Sequence, residues 1–316
     1  MVNRRLLRIK LLQELYAHLN YADRTIDSSQ KELALSIRRA YDLYHYLLLL
    51  VIDVTDYARK KIDIAREKRI PTYEDLHPNT RFIDNQVVKQ IADNEGLNSY
   101  LSSNKLSWVN YPELVKKLWL DLSNSEAYTK YMALPASDYD TDKKLVIEFY
   151  SGIVAECEML YQNLEEQSIF WNDEVDYVIS MIVKSVKNFK ESHTTNAPLM
   201  PQFRNEEDKD FAPLLLRKTI QNREEYFSLV DSFCKNWDLE RIAFIDKLIL
   251  ILAISEAIEF PFIPTRVSMN EYIEIAKLYS TEHSSTFVNG LLDKIYKHLK
   301  DEKRIVKKGK GLIGEE

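Results

Sequence analysis

The sequence predicts an all-α protein, and two observations support that class. Glycine and proline number only 6 and 9 among 316 residues, whereas strand-rich folds use both residue types for their turns. Apolar residues recur with the spacing of amphipathic helices along most of the chain, and no stretch shows the two-residue alternation of a strand. The length allows two domains, or one domain with a large insertion.

The first predicted helix covers residues 3–19, NRRLLRIKLLQELYAHL. At about 100° per residue its leucines, Ile9 and Tyr16 fill one broad arc, and Asn3 is suited to cap its N-terminus. A second helical pattern runs without proline from about Lys31 to Arg69 and ends in the charged run RKKIDIAREKR. Two prolines shortly afterwards mark its end.

Short helices joined by loops are expected over 71–141, followed by two longer helices within 143–190. The polar, proline-containing segment 191–210 is the predicted linker. Four more helical patterns follow the linker. The one at 240–260 is apolar nearly all round, so it is expected at the centre of its bundle. The tail, 301–316, has no periodicity and is expected to be disordered.

Composition restricts the class of protein. The net charge is -6, which argues against indiscriminate nucleic-acid binding, so any basic surface must be local. Cys157 and Cys234 lie far apart without metal or redox spacing, which is typical of reduced cytosolic thiols. Charged residues interrupt the N-terminal apolar run, and LLLLVI at 47–52 is far shorter than the ~20 residues that cross a bilayer. We therefore expect a soluble cytoplasmic protein.

No sequence pattern indicates catalysis. The chain has no glycine-rich phosphate loop, no dinucleotide-binding fingerprint, no HExxH and no nucleophile elbow. Its six histidines are scattered, and none has metal-ligand spacing with Cys, Asp or Glu. We expect no enzymatic activity, no cofactor and no metal.

An arginine cluster opens the first helix. Arg4, Arg5 and Arg8 project within the arc that later turns fill with leucine, which places them at the rim of the predicted bundle. In the first two turns the helix dipole is unfavourable to cations, and a bound anion would relieve that cost. Because guanidinium groups suit phosphate, the cluster favours phosphate binding. Alternatively, the arginines pair with acidic side chains of a neighbouring helix.

The stretch STFVNGLLDKI, 285–295, carries a second candidate binding feature. Relative to Phe287, Gly290 projects at about 300° and Lys294 at about 340°, off the apolar stripe of the helix. A glycine inside a helix costs about 1 kcal/mol relative to alanine, so we expect something to come close to it. A nucleobase stacks on an aromatic ring for ~1–3 kcal/mol while a cation meets its phosphate. Alternatively, Phe287 packs against a neighbouring helix and Gly290 admits that helix.

Both stretches resemble the NusB family of bacterial transcription antitermination factors. RRLLRIKLLQELY resembles the family's opening helix, an Arg-rich turn followed by L-Q-x-L-Y. The segment 236–295 is similar to nearly the whole second half of the family, most specifically in IPTRVSMNEYIEIAK and STFVNGLLDKI. A weaker likeness covers roughly 143–190.

The resemblance implies an all-helical, non-enzymatic RNA-binding protein. Its implied partner is NusE, a ribosomal small-subunit protein that doubles as a transcription factor. Together with NusE, family members bind the single-stranded boxA element of nascent ribosomal RNA. They join the RNA polymerase elongation complex with other Nus factors. The predicted RNA-binding residues combine the family's contact positions with the strip after Phe287, and they are Arg4, Arg5, Arg8, Gln13, Tyr16, Phe287, Gly290 and Lys294.

His283 and Thr286, which lie shortly before Phe287, depart from the family pattern, so RNA preference or affinity is expected to differ here. The same departure favours the alternative function, a helical protein-interaction scaffold without RNA binding.

The resemblance also predicts a NusB-like bundle with additional inserted helices. The expected parts are 1–20 with 143–190 as the N-terminal half, 21–142 as an insertion of unknown role, 191–210 as linker, 211–300 as the C-terminal half and 301–316 as a basic tail. The first and last helices of the bundle are expected to meet, because the two candidate binding features lie on them.

Overall fold

The computed structural model describes residues 1–136, 138–234 and 242–314. These residues form α-helices joined by turns, without a strand, which confirms the predicted all-α class. Residues 236–241, which open the family-like C-terminal segment, lie outside the described ranges. In chain order the helices are α1 Arg4–Asn20, α2 Ile26–Arg66, α3 Tyr73–Leu76, α4 Gln86–Ala92, α5 Glu95–Asn104, α6 Pro112–Ser123, α7 Glu126–Met132, α8 Tyr139–Glu148, α9 Glu158–Gln167, α10 Val175–Asn188, α11 Glu206–Gln221, α12 Arg223–Phe233, α13 Phe244–Glu259, α14 Thr265–Tyr279 and α15 Ser284–Asp301.

The first two helices follow from local sequence signals. Helix α1 begins at the predicted cap, where the Asn3 side chain accepts a hydrogen bond of 2.8 Å from the Leu6 amide. Helix α2 continues for 41 residues because no glycine or proline interrupts it, and it ends at Arg66 before Pro71. Within the described ranges, no helix is long and apolar enough to cross a membrane.

The chain divides into two compact units. Unit 1 comprises Met1 and Arg38–Gln202, and unit 2 comprises Val2–Ile37 and Phe203–Glu316. The contacts therefore group the residues differently from the sequence expectation, which joined 1–20 to 143–190. Helix α1 packs against α11 and α13 of unit 2, because its arc of leucines is buried there.

Aromatic side chains of α2 lie at the core of unit 1. The Trp108 ring stacks on the Tyr46 ring at a centroid distance of 3.7 Å, and its Nε1 donates to the Tyr46 carbonyl at 2.8 Å. The first of the two longer helices expected within 143–190 is interrupted. Helix α8 is followed by a π-helical turn, Phe149–Val154, and α9 begins only at Glu158.

Helix α13 is the centre of unit 2, as its apolar sequence predicts. Every residue from Leu248 to Ala257 is buried. Helices α1, α11, α12, α14 and α15 all pack against α13. A helix that is apolar on all sides needs such an arrangement, because each of its faces must be covered.

The expected linker, 191–210, contains ordered structure. It holds a 3-10 turn, Glu191–Asn196, and the first turn of α11. The Ala197 side chain is buried, and its carbonyl accepts a hydrogen bond of 2.8 Å from Asn94 Nδ2.

The described part of the tail packs against the end of α13, which corrects the expected disorder. Lys307 Nζ donates to the carbonyls of Ala257 at 2.8 Å and Phe260 at 3.1 Å, and the Lys308 amide donates to the Pro261 carbonyl at 2.9 Å. Hydrophobic periodicity does not indicate such a segment, because single polar contacts to a helix C-terminus hold it in place.

Candidate nucleic-acid interface

Arg8 lies in a buried ion pair of unit 2. Its Nε and Nη2 donate to Oε2 and Oε1 of Glu256 at 2.8 and 2.6 Å, and the two side chains are 2% and 0% exposed. Ser268 Oγ and Tyr272 OH donate to the same carboxylate at 2.6 and 2.9 Å. The Glu256 carboxylate is therefore hydrogen-bonded at both oxygens by neighbours from α1 and α14.

The surroundings keep both partners of this pair charged. Burial alone would raise the pKa of the Glu256 carboxyl, but the charge and hydrogen bonds of Arg8, with the two hydroxyl donors, lower it below its ordinary value. Burial likewise opposes the charge of Arg8, yet Glu256 raises the pKa of its guanidinium. The rings of Phe211 and Tyr272 lie 5.3 and 5.8 Å from that guanidinium. Arg8 is thus enclosed by protein, which corrects the prediction that it reaches an RNA phosphate.

Arg4 and Arg5 are also paired but stay partly exposed. Arg5 Nε and Nη2 donate to Glu271 on α14 at 2.8 and 2.9 Å, and the Arg5 side chain is 47% exposed. Arg4 Nε donates to Asp208 on α11 at 2.7 Å, and Arg4 Nη2 lies 3.7 Å from Glu207. The alternative in which the arginines pair with acidic side chains of neighbouring helices therefore holds for all three arginines.

Gln13 and Tyr16 lie one turn apart on the exposed face of α1. The Tyr16 side chain is 47% exposed. Its ring centroid is 5.9 Å from that of Phe244, which begins α13 and is also exposed. These two rings form the Tyr16–Phe244 pair, an aromatic surface accessible to solvent.

The strip on α15 is formed by Phe287, Gly290 and Lys294. Phe287 is half-buried, and the other two are exposed. A methyl group added to Gly290 would meet no heavy atom within 4 Å, so the alternative in which Gly290 admits a neighbouring helix is wrong. Lys294 pairs with no carboxylate in the described part of the chain. The α15 strip is therefore open at its middle and cationic at one end.

Helices α1 and α15, which carry the two candidate features, do not pack mainly on each other. Both pack on α13. Helix α1 packs chiefly on α11 and α13, and α15 packs on α12, α13 and α14. At the start of α13, Phe244 contacts Tyr16 of α1, while Asp246 accepts a hydrogen bond of 2.7 Å from Ser284 Oγ in the first turn of α15. Phe287 follows Ser284 by one turn. The Tyr16–Phe244 pair and the α15 strip therefore both adjoin the first turn of α13.

Sequence reasoning allowed for acidic partners of the arginines but did not identify them, and it missed the hydroxyl partners. Ser268, Glu271 and Tyr272 follow the i, i+3, i+4 spacing within VSMNEYIEIAK, which places them on one helix face. Glu256 is an acid within the apolar helix α13 and is completely buried. A buried acid of this kind requires a cationic partner, and that signal could have pointed to Arg8.

The described residues define an all-helical protein with exposed aromatic and cationic side chains. The sequence model of the NusB family matches residues 175–297. The chain therefore carries a NusB family domain over these residues. Ser268, Glu271, Tyr272 and the α15 strip all lie inside the matched residues.

Three curated relatives, each named transcription antitermination protein NusB, match part of the chain. The protein of Salinibacter ruber is 45% identical over 106 residues, which are 34% of this chain and 66% of the relative. The protein of Chloroherpeton thalassium is 42% identical over 105 residues, 33% of this chain and 50% of the relative. That of Methylacidiphilum infernorum is 45% identical over 92 residues, 29% of this chain and 64% of the relative. The matched region thus spans between half and about two thirds of these relatives.

Among solved structures, NusB of T. maritima matches 51% of this chain and 93% of its own chain, at 23% identity and a TM-score of 0.30.

In the described ranges, no group of three or more His, Cys, Asp or Glu side chains could hold a metal ion.

Proposed function

We propose that this protein is an RNA-binding transcription antitermination factor of the NusB type. It binds boxA-type single-stranded RNA of nascent ribosomal transcripts together with NusE in the cytoplasm, and joins the RNA polymerase elongation complex through other Nus factors. It acts by binding, without catalysing a reaction. The observation that carries the proposal is the open α15 strip inside a NusB family domain.

On the α15 strip, each residue has a distinct task in this proposal. The exposed part of the Phe287 ring receives a nucleobase, and Lys294 meets a phosphate. Gly290 lies between them, and the open space around it lets the strand approach the helix backbone. The exposed His283 and Thr286 flank the base position and tune which base is preferred.

Helix α1 supplies the second part of the proposed surface. The exposed Tyr16 ring offers another stacking face, and Gln13 one turn earlier offers hydrogen bonds to a base or phosphate. Arg4 and Arg5 contribute by exchanging a carboxylate for a phosphate at the rim. Arg8 holds α1 against α13 and α14, so we assign it the role of positioning the surface.

The test is a titration of the purified chain with fluorescein-labelled boxA-like and scrambled RNA, with and without NusE, followed by anisotropy. We expect boxA-like RNA to bind more tightly than scrambled RNA, and NusE to increase that affinity. Equal affinity for the two sequences in the presence of NusE would contradict the assignment of boxA-type recognition.

A protein-interaction scaffold without RNA binding is the second candidate. One observation favours it: each arginine of the opening cluster already has a carboxylate partner, so the cluster offers less free positive charge than its sequence suggests. This candidate predicts that the chain captures purified NusE after RNase treatment, while RNA of either sequence fails to bind the chain or the complex.

A further inference from the structure

A depression of about 430 Å³ lies in unit 2 beyond the C-terminal end of α1. Three aromatic rings line it, and two guanidinium groups reach it. The rings belong to Tyr21, Phe227 and Phe244, and the guanidinium groups to Arg24 and Arg223. We call this depression the end pocket. The remaining lining residues are His18, Leu19, Ala22 and Glu224.

The rings of the end pocket are accessible. Tyr21 is 66% exposed and Phe244 is 40% exposed, while Phe227 is half-buried. A depression of this size is large enough for a small ligand, because ligand sites in proteins typically have volumes of about 300–1,000 Å³. The lining therefore offers stacking surfaces for a nucleobase.

The arginines of the end pocket offer hydrogen-bond donors to an anion. Arg24 pairs with Glu14, which is buried behind it, and its guanidinium lies 5.8 Å from the Tyr21 ring. Arg223 Nε lies 3.0 Å from Glu224 of the adjacent position, and an exposed pair of this kind is weak. Arg223 is therefore free to exchange Glu224 for a phosphate.

The buried His18 also lines the end pocket. Burial lowers the pKa of His18, and the charges of Arg223 and Arg24 lower it further. The His18 Nδ1 lies 2.9 Å from Ser29 Oγ, so that nitrogen is already engaged. His18, Arg24 and Arg223 all line the end pocket.

The end pocket continues the surface proposed for RNA. Phe244 lines the pocket and also contacts Tyr16 of α1 at 5.9 Å between ring centroids. A strand that stacks on Tyr16 can therefore continue into the pocket without leaving the protein surface.

We propose that the end pocket binds one nucleotide of the RNA strand, with the base against Tyr21, Phe227 and Phe244 and the phosphate at Arg223 and Arg24. This proposal rests on the proposed function and extends the RNA surface beyond Tyr16. It adds a nucleotide subsite that depends on residues after α1 and at the start of α12.

The test uses the full chain with NusE and a series of labelled boxA-like RNAs lengthened one nucleotide at a time at either end. The variants are Tyr21→Ala and Arg223→Gln. Their matched controls in unit 1 are Tyr73→Ala, at a tyrosine that is also strongly exposed, and Arg66→Gln, at an arginine in a similar surface pair.

We expect affinity to rise at the RNA length that reaches the end pocket. Tyr21→Ala should remove that rise and weaken the longer RNAs about 5- to 100-fold, because one stacking face is lost. Arg223→Gln should reduce the slope of log affinity against log salt by about 0.7, the value for one phosphate contact of a single strand. The shortest RNAs and both controls should bind as the parent does. Crosslinking of 5-iodouridine RNA to Tyr21 or Phe227 supplies an independent readout.

Failure of the end pocket and failure of the proposed function are distinguishable. If the parent binds boxA-like RNA and Phe287→Leu weakens it, but Tyr21→Ala and Arg223→Gln match their controls at every length, the pocket is not an RNA subsite. If the parent binds no RNA of any length, with or without NusE, the proposed function fails and the pocket proposal fails with it.

Discussion

Arg8 and Glu256 lie 248 positions apart in sequence and form a buried bidentate ion pair. The pair joins α1 to α13, and hydroxyl donors from α14 complete it. Taking two charges out of water is costly, so the pair is stabilised only while both partners are present. It fixes the helix that carries Gln13 and Tyr16 against the centre of unit 2.

Removing one partner of this pair should destabilise the protein strongly. We expect Arg8→Met or Glu256→Leu to lower the free energy of unfolding by about 3–5 kcal/mol, because each leaves an uncompensated buried charge. The double variant should lose less than the sum of the two single variants. Urea unfolding measures these differences. Arg5→Met is the control, since its pair with Glu271 is exposed and is worth about 1 kcal/mol or less. A loss for Arg8→Met as small as that of Arg5→Met would contradict the structural role of Arg8.

Acid should weaken the same contact. The pKa of Glu256 is lowered in the folded protein, whereas an unfolded glutamate titrates near about 4.3. The unfolded state therefore binds a proton more readily, so the contribution of Glu256 is fully present above about pH 4.3 and is lost as pH falls through the folded pKa. Urea midpoints measured from pH 6 to pH 3 should decline, and the decline should be smaller in Glu256→Gln. Parallel pH profiles for the two proteins would show that another group governs acid stability.

Gly290→Ala should change the stability of the protein and its RNA affinity in opposite directions. An added methyl group meets open space, so the variant should gain up to about 1 kcal/mol in helix stability. If the RNA strand passes over Gly290, the same methyl group should weaken binding. Thermal unfolding and RNA anisotropy measure the two effects. Asn289→Ala, at an exposed position about 200° around the helix from Phe287, is the control that should raise helix propensity without closing the gap. Unchanged RNA affinity in Gly290→Ala would place the strand elsewhere.

Phe287 and Lys294 should affect RNA binding in different ways. Phe287→Leu keeps an apolar side chain but removes the ring, so affinity should fall by ~1–3 kcal/mol with an unchanged salt slope. Lys294→Gln should flatten the salt slope by about 0.7, because one phosphate contact is lost. Anisotropy at several salt concentrations measures both. Equal effects of the two variants on the slope would contradict this division into stacking and charge.

Gly311→Ala should loosen the tail. A methyl group at Gly311 would collide with the Pro261 carbonyl, so the segment could not keep its place at the end of α13. We expect faster tryptic cleavage at Lys307 and Lys308 than in the parent. Gly290→Ala is the matched control, because its added methyl group meets nothing. Identical cleavage rates in the two variants would indicate that the tail does not depend on this contact.

Several features could be read from the sequence because their causes are local. The recurrence of leucine in α1 predicts one buried face, and Asn3 marks the start of that helix, as observed. The apolar character of α13 predicts its central position. The spacing of Phe287, Gly290 and Lys294 predicts one strip on α15, and the exposure of Gly290 and Lys294 agrees with it.

Other features depended on residues far away in the chain. The π-helical turn Phe149–Val154 interrupts the first helix expected within 143–190. Tyr150, in that turn, lies in the core, where its hydroxyl donates to the carbonyl of Leu47 at 3.1 Å. The order of the tail depends on the free carbonyls at the end of α13. Neither contact repeats along the sequence, so no periodicity reveals it.

The sequence by itself determined the helical class, the buried faces and the likeness of residues 175–297 to the NusB family, because helix period, capping and motif spacing are properties of neighbouring residues. Only the tertiary structure decided what the arginines of α1 meet. A guanidinium binds a carboxylate or a phosphate by the same hydrogen bonds, so its partner depends on which group the fold brings within reach. For Arg8 that group is Glu256. The tertiary structure likewise decided that no neighbouring group lies against Gly290.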